Sequence, residues 1–347
     1  MAKKEHDQLV FWSDTASGYR GIIAIHDTTL GPALGGTRFW NYTSETEAIT
    51  DVLRLARGMT YKAAITGLNL GGGKAVIIGN AKTQKTPELM KRFGAFVHSL
   101  NGKYITAEDV GMETADMDLV REVTPFVTGI SEANGGAGNP SPITAYGVFM
   151  GMKAAAKYKF GSDVLEDKKV IVQGIGHVGE SLVEHLTNEG ANVIISDINE
   201  ERLEAVSKKY NAVIYRGQDI YSEDVDIYAP CALGATINDD TIYKLKAQVI
   251  AGAANNQLGN EDKHGKILQE RGIVYAPDFL INAGGIIHVY AELEGYGKKE
   301  IVRKTENIYN TTLEILNNAN VNEITANHAA LNIAKSRIET RKKENSK

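Results

Sequence analysis

Apolar residues along this chain recur at two spacings, the two-residue period of a strand and the 3.6-residue period of a helix, and the two alternate from end to end. Residues 9–12 and 21–26 read as strands. From Ser44 the period changes: Ala48, Val52, Leu55, Ala56 and Met59 fall on one helical face, and Ser44-Glu45-Thr46-Glu47 supplies a capping box for the helix start. Residues 74–78 and 104–107 predict two more strands. Between them a helix opens at Thr86-Pro87, an N-cap followed by a proline at the first helical position. Gly135, Gly136, Gly138 and Pro140 cluster in residues 134–141, as at a crossing between domains, and Ser141-Pro142 then begins a long helix reaching about Gly161. Strand–helix units follow: a strand at 170–173, a helix through His185, a strand at 192–196, a helix from Glu200, and strands at Ile227, Val249 and Val274. From Lys299 onward the pattern is helical. This alternation predicts an α/β architecture, and 347 residues are too many for one compact core, so two domains are expected.

Composition narrows the class. Apolar residues make up 43% and charged residues 23%, the balance of a soluble globular protein. The formal net charge is −5 and the only basic run is Arg341, Lys342 and Lys343, so no nucleic-acid partner is expected. Cys231 is the single cysteine, which excludes an intrachain disulfide and fits a reducing compartment. The polar N-terminus has no signal-peptide core, and no apolar run approaches the ~18 residues of a membrane helix. The expectation is a cytoplasmic protein with no membrane association, and the sequons at Asn41 and Asn310 are chance matches. No metal-ligand spacing links His26, His177 and His288, so no metal is expected and the three are structural. Cys231 reads as a small buried hydrophobe, and Met150 and Met152, two apart on one helix, as ordinary packing.

The first chemical signal lies in Gly174-Ile175-Gly176-His177-Val178-Gly179. On its own a GxGxxG pattern is weak. Here it follows the β-branched strand at 170–173 and opens an amphipathic helix with Leu182, Val183 and Leu186 on one face. A second strand ends at Asp197, close to the ~20-residue offset of the acidic ribose partner in dinucleotide-binding folds. Gly174 allows a tight turn, Gly176 lets backbone approach a pyrophosphate, and Gly179 lets helix and sheet pack closely. The helix N-terminus offers unpaired N–H groups to the phosphates. Asp197 would bind both ribose hydroxyls and repel a 2′-phosphate, which favours NAD over NADP.

The second signal is lysine. Gly71-Gly72-Gly73-Lys74 suggests a phosphate loop but fails: Leu68 stands where that motif requires glycine, and Ala75 where it requires Ser or Thr. Lys74 is expected at a strand start behind a flexible glycine turn. Lys62 lies at the end of a helix, and Glu108-Asp109 follows the strand at 104–107. Two lysines beside a carboxylate can take opposite tasks, one gripping a substrate carboxylate and one pushed toward neutrality to act as a base. Spacing alone leaves this open against solvated surface lysines.

Leu30-Gly31-Pro32-Ala33-Leu34-Gly35-Gly36-Thr37-Arg38, Met59-Thr60-Tyr61-Lys62, Gly71-Gly72-Gly73-Lys74, Thr106-Ala107-Glu108-Asp109, Gly138-Asn139-Pro140, Pro230-Cys231-Ala232-Leu233-Gly234, Asn255-Asn256-Gln257 and Ile281-Asn282-Ala283-Gly284-Gly285 together resemble the Glu/Leu/Phe/Val dehydrogenase family, nearest its branch acting on aliphatic amino acids. The resemblance runs from about Leu9 to about Arg337. It implies an N-terminal α/β substrate domain (1–138), a Rossmann-type NAD domain (139–322) and C-terminal helices of which the last (323–347) packs back on the first domain, the two domains enclosing a cleft. It implies NAD-dependent, reversible oxidative deamination of a branched-chain L-amino acid to the 2-oxo acid and ammonia. By the same resemblance Lys74 is the base that activates water, Asp109 assists proton transfer, and Lys62 with Asn256 holds the substrate carboxylate. Leu34, Ala107, Thr128, Ile286 and Val289 line the side-chain pocket, which carries no charge, and Gly35 also belongs to the substrate site. Thr144 and Asn282 hold the nicotinamide carboxamide. Gly174, Ile175, Gly176, His177, Val178, Gly179, Asp197, Ala232 and Ala253 complete the cofactor site. A homo-oligomer is expected, with dimer and octamer both open because the two ends stop short of the family's usual length. Three alternatives remain at this level: an aromatic-substrate branch with the same chemistry, a non-catalytic NAD-binding regulator, which would lose the two lysines, and a 2-hydroxy acid dehydrogenase, which would need no ammonia.

Overall fold

The computed structural model describes residues 6–16 and 18–346. The chain divides into two compact units: the first comprises residues up to Gly138 with Val289–Gly295 and the segment from Ala334 on, and the second comprises Asn139–His288 and Tyr296–Ile333.

The first unit contains β1 (Gln8–Asp14), β2 (Tyr19–Asp27), β3 (Ala33–Trp40), α1 (Glu45–Ile65), β4 (Gly71–Ile78), α2 (Ala81–Gln84), α3 (Pro87–Ser99), β5 (Tyr104–Glu108) and α4 (Thr114–Arg121). Its sheet has the order β1-β2-β4-β3-β5, with β1, β2 and β4 antiparallel and β3 parallel to both β4 and β5. Alternate residues of β2 and β4 face opposite sides. Ile22, Ala24 and Val76 pack with Ala48, Val52, Leu53 and Ala56 of α1. Ile23, Ile25, Ala75 and Ile77 pack with Leu89, Met90, Phe93, Met117 and Val120 of α3 and α4. Both faces are covered, so β2 is buried along nearly its whole length.

Two local expectations change. The oxygen of Ser44 accepts from the Glu47 N–H at 3.1 Å, but the Glu47 carboxylate reaches one residue further back, taking the Thr43 N–H at 2.7 Å and the Thr43 hydroxyl at 2.6 Å. The glycines before Lys74 form no flexible turn. Gly71, Gly72 and Gly73 are the buried first residues of β4, and a Cβ on Gly72 would lie 2.1 Å from the Thr60 nitrogen of α1. They are glycines because a helix and two strands press on that backbone. β3 itself carries no strand signal in sequence, since Gly35 and Gly36 interrupt its apolar pattern.

The second unit is built from α5 (Ser141–Phe160), β6 (Lys169–Gln173), α6 (His177–Asn188), β7 (Asn192–Ser196), α7 (Glu200–Tyr210), β8 (Val213–Ile214), β9 (Ile227–Pro230), β10 (Val249–Ile250), α8 (Glu261–Glu270), β11 (Val274–Tyr275), α9 (Asp278–Ile281), α10 (Gly284–Glu294), α11 (Lys298–Val321) and α12 (Ala326–Asn345). The division between units falls inside α10 and again inside α12. The sheet is parallel throughout, ordered β11-β10-β9-β6-β7-β8. The chain runs outward from β6 to β8, then returns to β9 on the other side of β6. The carboxyl ends of β6 and β9 therefore flank a topological switch point, where open α/β sheets bind ligands. Val170, Ile171 and Val172 are fully buried, as expected for a central parallel strand covered on both faces. Among the described residues no helix is long and apolar enough to cross a membrane.

Candidate active site

In the first unit, β4 carries Lys74 into the interior, where the residue is 6% exposed. Its Nζ lies 2.6 Å from Oδ2 of Asp109, just past the end of β5. Burial lowers the Lys74 pKa and Asp109 raises it; burial wins, and the amine sits below the ordinary lysine range. Asp109 shows the mirror balance. Burial pushes its carboxyl up, but the Lys74 charge and hydrogen bond, with Arg38 behind them, hold it below the usual carboxylate range. The pair is thus an ionised acid beside an amine eased toward neutrality.

Glycines set this close approach. A Cβ on Gly35 would meet the Gly73 carbonyl oxygen at 1.8 Å, and one on Gly36 would meet the Glu108 carbonyl oxygen at 2.5 Å and the Asp109 Cβ at 2.9 Å. Only bare backbone lets β3 sit between β4 and β5 and bring Asp109 to Lys74. The Tyr104 hydroxyl donates to the Gly35 carbonyl at 2.5 Å. Leu34 is 2% exposed and Ala107 8%. Thr128 is fully buried and its hydroxyl donates to the Thr106 carbonyl at 3.3 Å, which commits its polar atom to the backbone. Lys62 lies in the last turn of α1.

That turn is held by a residue the sequence gave no reason to single out. Arg337 of α12 donates to the carbonyls of Ala64 at 3.0 Å and Leu68 at 2.7 Å, and to Oδ1 of Asn69 at 3.1 Å. A helix C-terminus leaves carbonyls without intrahelical partners, and this guanidinium satisfies two carbonyls at and just beyond it. Val289 belongs to this unit, Ile286 to the other.

In the second unit, the three glycines of the 174–179 motif have separate jobs. Gly174 has φ +95° and its Cβ would strike Ala232 at 2.6 Å. Gly179 lies against the Gly174 carbonyl oxygen, 2.0 Å from where its Cβ would be. Gly176 faces open space, with nothing within 4 Å of its Cβ position. Gly176 is also the N-cap of α6, and no side chain caps that helix. His177 and Val178 open the helix, and Ile175 is fully buried below them. Asp197, at the end of β7, accepts from the Ile175 N–H at 2.8 Å and the Asn199 N–H at 3.0 Å, tying the second strand to the glycine turn. An uncapped helix end, open space over its N-cap glycine and a carboxylate at the neighbouring strand end fit a dinucleotide.

Around the switch point, Asn256 has φ +52° in an exposed loop, and Gln257 behind it is fully buried. Gln257 donates to the carbonyls of Gly252 at 2.7 Å and Ala254 at 3.0 Å, and its N–H binds Asp278 at 2.9 Å. It holds the strained loop, a role visible only in three dimensions. Asn282 donates to the Ala253 carbonyl at 3.1 Å and to Oδ1 of Asn255 at 2.7 Å. Gly284 packs on Ile143, its Cβ position 2.3 Å from that carbonyl oxygen, and the Thr144 hydroxyl lies 3.4 Å from the Cβ position of Gly285. Thr144 donates that hydroxyl to the Pro140 carbonyl at 2.9 Å. Ile286 is buried on α10. Cys231 is half-buried rather than the fully buried residue expected, and desolvation pushes its thiol up to about 12, away from the thiolate form.

The chain is similar to known proteins along nearly its whole length. Residues 6–125 match the family model described as Glu/Leu/Phe/Val dehydrogenase, dimerisation domain, and residues 135–199 and 195–344 match that described as Glutamate/Leucine/Phenylalanine/Valine dehydrogenase. The chain is 56% identical over 346 residues to leucine dehydrogenase of Bacillus subtilis, covering 100% of this chain and 95% of the relative. It is 48% identical to valine dehydrogenase of Streptomyces coelicolor over 336 residues, 96% of this chain and 92% of that one. Its fold is similar to the crystal structure of L-tryptophan dehydrogenase from Nostoc punctiforme, with TM-score 0.89 and 44% identity over 99% of this chain and 98% of the other.

Proposed function

Because this chain belongs to the Glu/Leu/Phe/Val dehydrogenase family and is an amino acid dehydrogenase, we propose that it catalyses the reversible, NAD-dependent oxidative deamination of a branched-chain aliphatic L-amino acid, leucine foremost with valine and isoleucine, to the 2-oxo acid and ammonia. The observation that carries this is the buried Lys74 amine 2.6 Å from Asp109.

The nicotinamide, when bound, supplies the hydride acceptor. The chain's own residues do the rest. Lys74 Nζ, eased toward neutrality, takes a proton from the water that displaces the amino group. Asp109 stays ionised, steadies the resulting ammonium, and accepts from the substrate's amino group. Lys62 and Asn256 bind the substrate carboxylate. Thr144 and Asn282 orient the carboxamide. Gly174, Ile175, Gly176, His177, Val178 and Gly179 receive the pyrophosphate, with Ala232 and Ala253 beside them. Asp197 takes the ribose hydroxyls, and its charge disfavours a 2′-phosphate, which selects NAD over NADP.

Leu34, Ala107, Thr128, Ile286 and Val289 receive the substrate side chain, and Gly35 also belongs to the substrate site. None is charged, which disfavours a glutamate side chain, and each methylene difference is worth only about 1–3 kcal/mol, so neighbouring aliphatic substrates overlap. We assign residues 1–138 to the substrate domain, 139–322 to the NAD domain and 323–347 to the returning helix, in a cytoplasmic homo-oligomer.

The test is an NADH-forming assay across leucine, isoleucine, valine, phenylalanine and tryptophan, with the reverse reaction run with and without ammonium. Leucine, isoleucine and valine are expected to lead. Preference for an aromatic substrate moves the chain to the aromatic branch. Reduction of the 2-oxo acid without ammonium overturns deamination, and NAD binding without turnover of any amino acid points to a regulator.

A further inference from the structure

A base that must give up its proton leaves its partner carboxylate behind. When Lys74 is neutral, Asp109 remains as a half-buried anion, and a carboxylate withdrawn from water is costly to leave without a cation. The structure contains a second cation for that moment. Arg38, near the end of β3, places Nε 3.3 Å from Oδ2 of Asp109, the same oxygen that Lys74 contacts at 2.6 Å. Its Nη1 lies 2.9 Å from Oδ2 of Asp51 on α1. Asp51 also accepts from the Tyr42 hydroxyl at 2.8 Å and from Nη2 of Arg54 at 3.1 Å. One forked guanidinium thus holds two carboxylates through separate nitrogens, a planar geometry that a lysine's single ammonium does not reproduce.

We propose that Arg38 is a positioning residue of the deamination reaction, holding Asp109 in place and charge-compensated while Lys74 cycles its proton, and that Asp51 sets how much of the Arg38 charge Asp109 receives. This rests on Lys74 being the base. Arginine stays protonated throughout the working pH range, so the proton that moves in this cluster is the lysine's. The two supports act on Lys74 with opposite signs: the Arg38 charge favours the neutral amine, and the Asp51 charge favours the ammonium.

The other titratable groups on the packed elements are left unsubstituted. Tyr104 of β5 is committed to the Gly35 carbonyl, and Glu108 accepts from the Thr114 hydroxyl at 3.2 Å. Tyr42 and Arg54 bind Asp51, and Lys62 of α1 is unchanged in every variant.

The experiment compares Arg38→Gln, Arg38→Lys and Asp51→Asn in the full-length protein. Two readouts are needed. One is the pH profile of kcat/KM for leucine oxidation. The other is the NMR titration of the Lys74 13Cε signal without substrate or cofactor, assigned by its loss in Lys74→Ala. Arg38→Gln is expected to raise the Lys74 midpoint by about one pH unit and to move the acidic limb of the profile, where a base loses its free pair, up with it. Asp51→Asn is expected to move both down, by about half a unit. Arg38→Lys is expected to return the midpoint toward the parent value while the plateau of kcat/KM stays below the parent's, because charge is restored and the two-ended grip is not. Shifts in the same direction for Arg38→Gln and Asp51→Asn, or no shift in either, overturn the proposal. Opposed NMR shifts in a protein that deaminates no amino acid would leave the Arg38 relationship standing and remove the assigned reaction instead. A melting curve confirms folding of each variant, and Asp51→Asn keeps the sign test available if Arg38→Gln does not fold.

Discussion

A Cβ placed on Gly179 would lie 2.0 Å from the carbonyl oxygen of Gly174. This contact fixes how closely the first turn of α6 approaches the end of β6, and the uncapped N–H groups depend on it. Gly179→Ala must push the helix off the strand. Overpacking of this kind costs about 1–3 kcal/mol. We expect a lower Tm together with weaker NAD binding in a fluorescence titration. Parent-like NAD affinity in a protein of lowered Tm would show that the phosphates do not depend on that spacing.

Asp197 accepts two backbone N–H groups, from Ile175 and Asn199, as well as being the proposed ribose partner. Asp197→Ser shortens the side chain and removes the charge. Charged hydrogen bonds are worth about 1.5–3 kcal/mol each, so NAD affinity should fall by at least tenfold. NADP should improve relative to NAD, since the repulsion of a 2′-phosphate is gone. An unchanged ratio of kcat/KM for the two cofactors would reject the ribose assignment.

Lys74→Ala removes the proposed base and leaves Arg38 as the cation beside Asp109. Loss of a general base costs about 10²-fold or more in kcat. NAD binding should persist, because the glycine motif lies in the other unit. Retention of a tenth of the parent rate in leucine oxidation would dismiss the role.

His26 gives a pH dependence of stability separate from catalysis. Its Nδ1 lies 2.9 Å from the Thr60 hydroxyl, and burial, reinforced by His6, lowers its pKa from 6.5 to about 4. Between those values the unfolded chain binds a proton that the folded chain refuses. Stability contributed by the neutral ring is therefore complete above pH 6.5 and is lost as pH falls toward 4. Scanning calorimetry should show Tm declining by several degrees over that interval. His26→Gln should flatten the slope, and an equal slope in the variant would assign the acid sensitivity elsewhere.

What the linear chain determined by itself is what depends on neighbours within a turn or a strand. Ser44 and Thr86 cap their helices because an N-cap needs only a side-chain oxygen three residues before an N–H. The buried run at 170–172, the glycines after it and Asp197 were legible because a strand, a tight turn and a helix start are local backbone requirements. Lys74 could be seen as a candidate, yet its surroundings could not. Gly71, Gly72 and Gly73 looked like a loose turn and are strand, since their reason for being glycine is pressure from Thr60, Tyr104 and Asp27. Tertiary structure alone brought Arg38 and Asp51 to Asp109, Arg337 to the end of α1, and Gln257 beneath Asn256. These groups meet because sheet order and helix packing fold distant segments together. A side chain's charge state and partners are set by what packs around it, and no spacing along the chain records that.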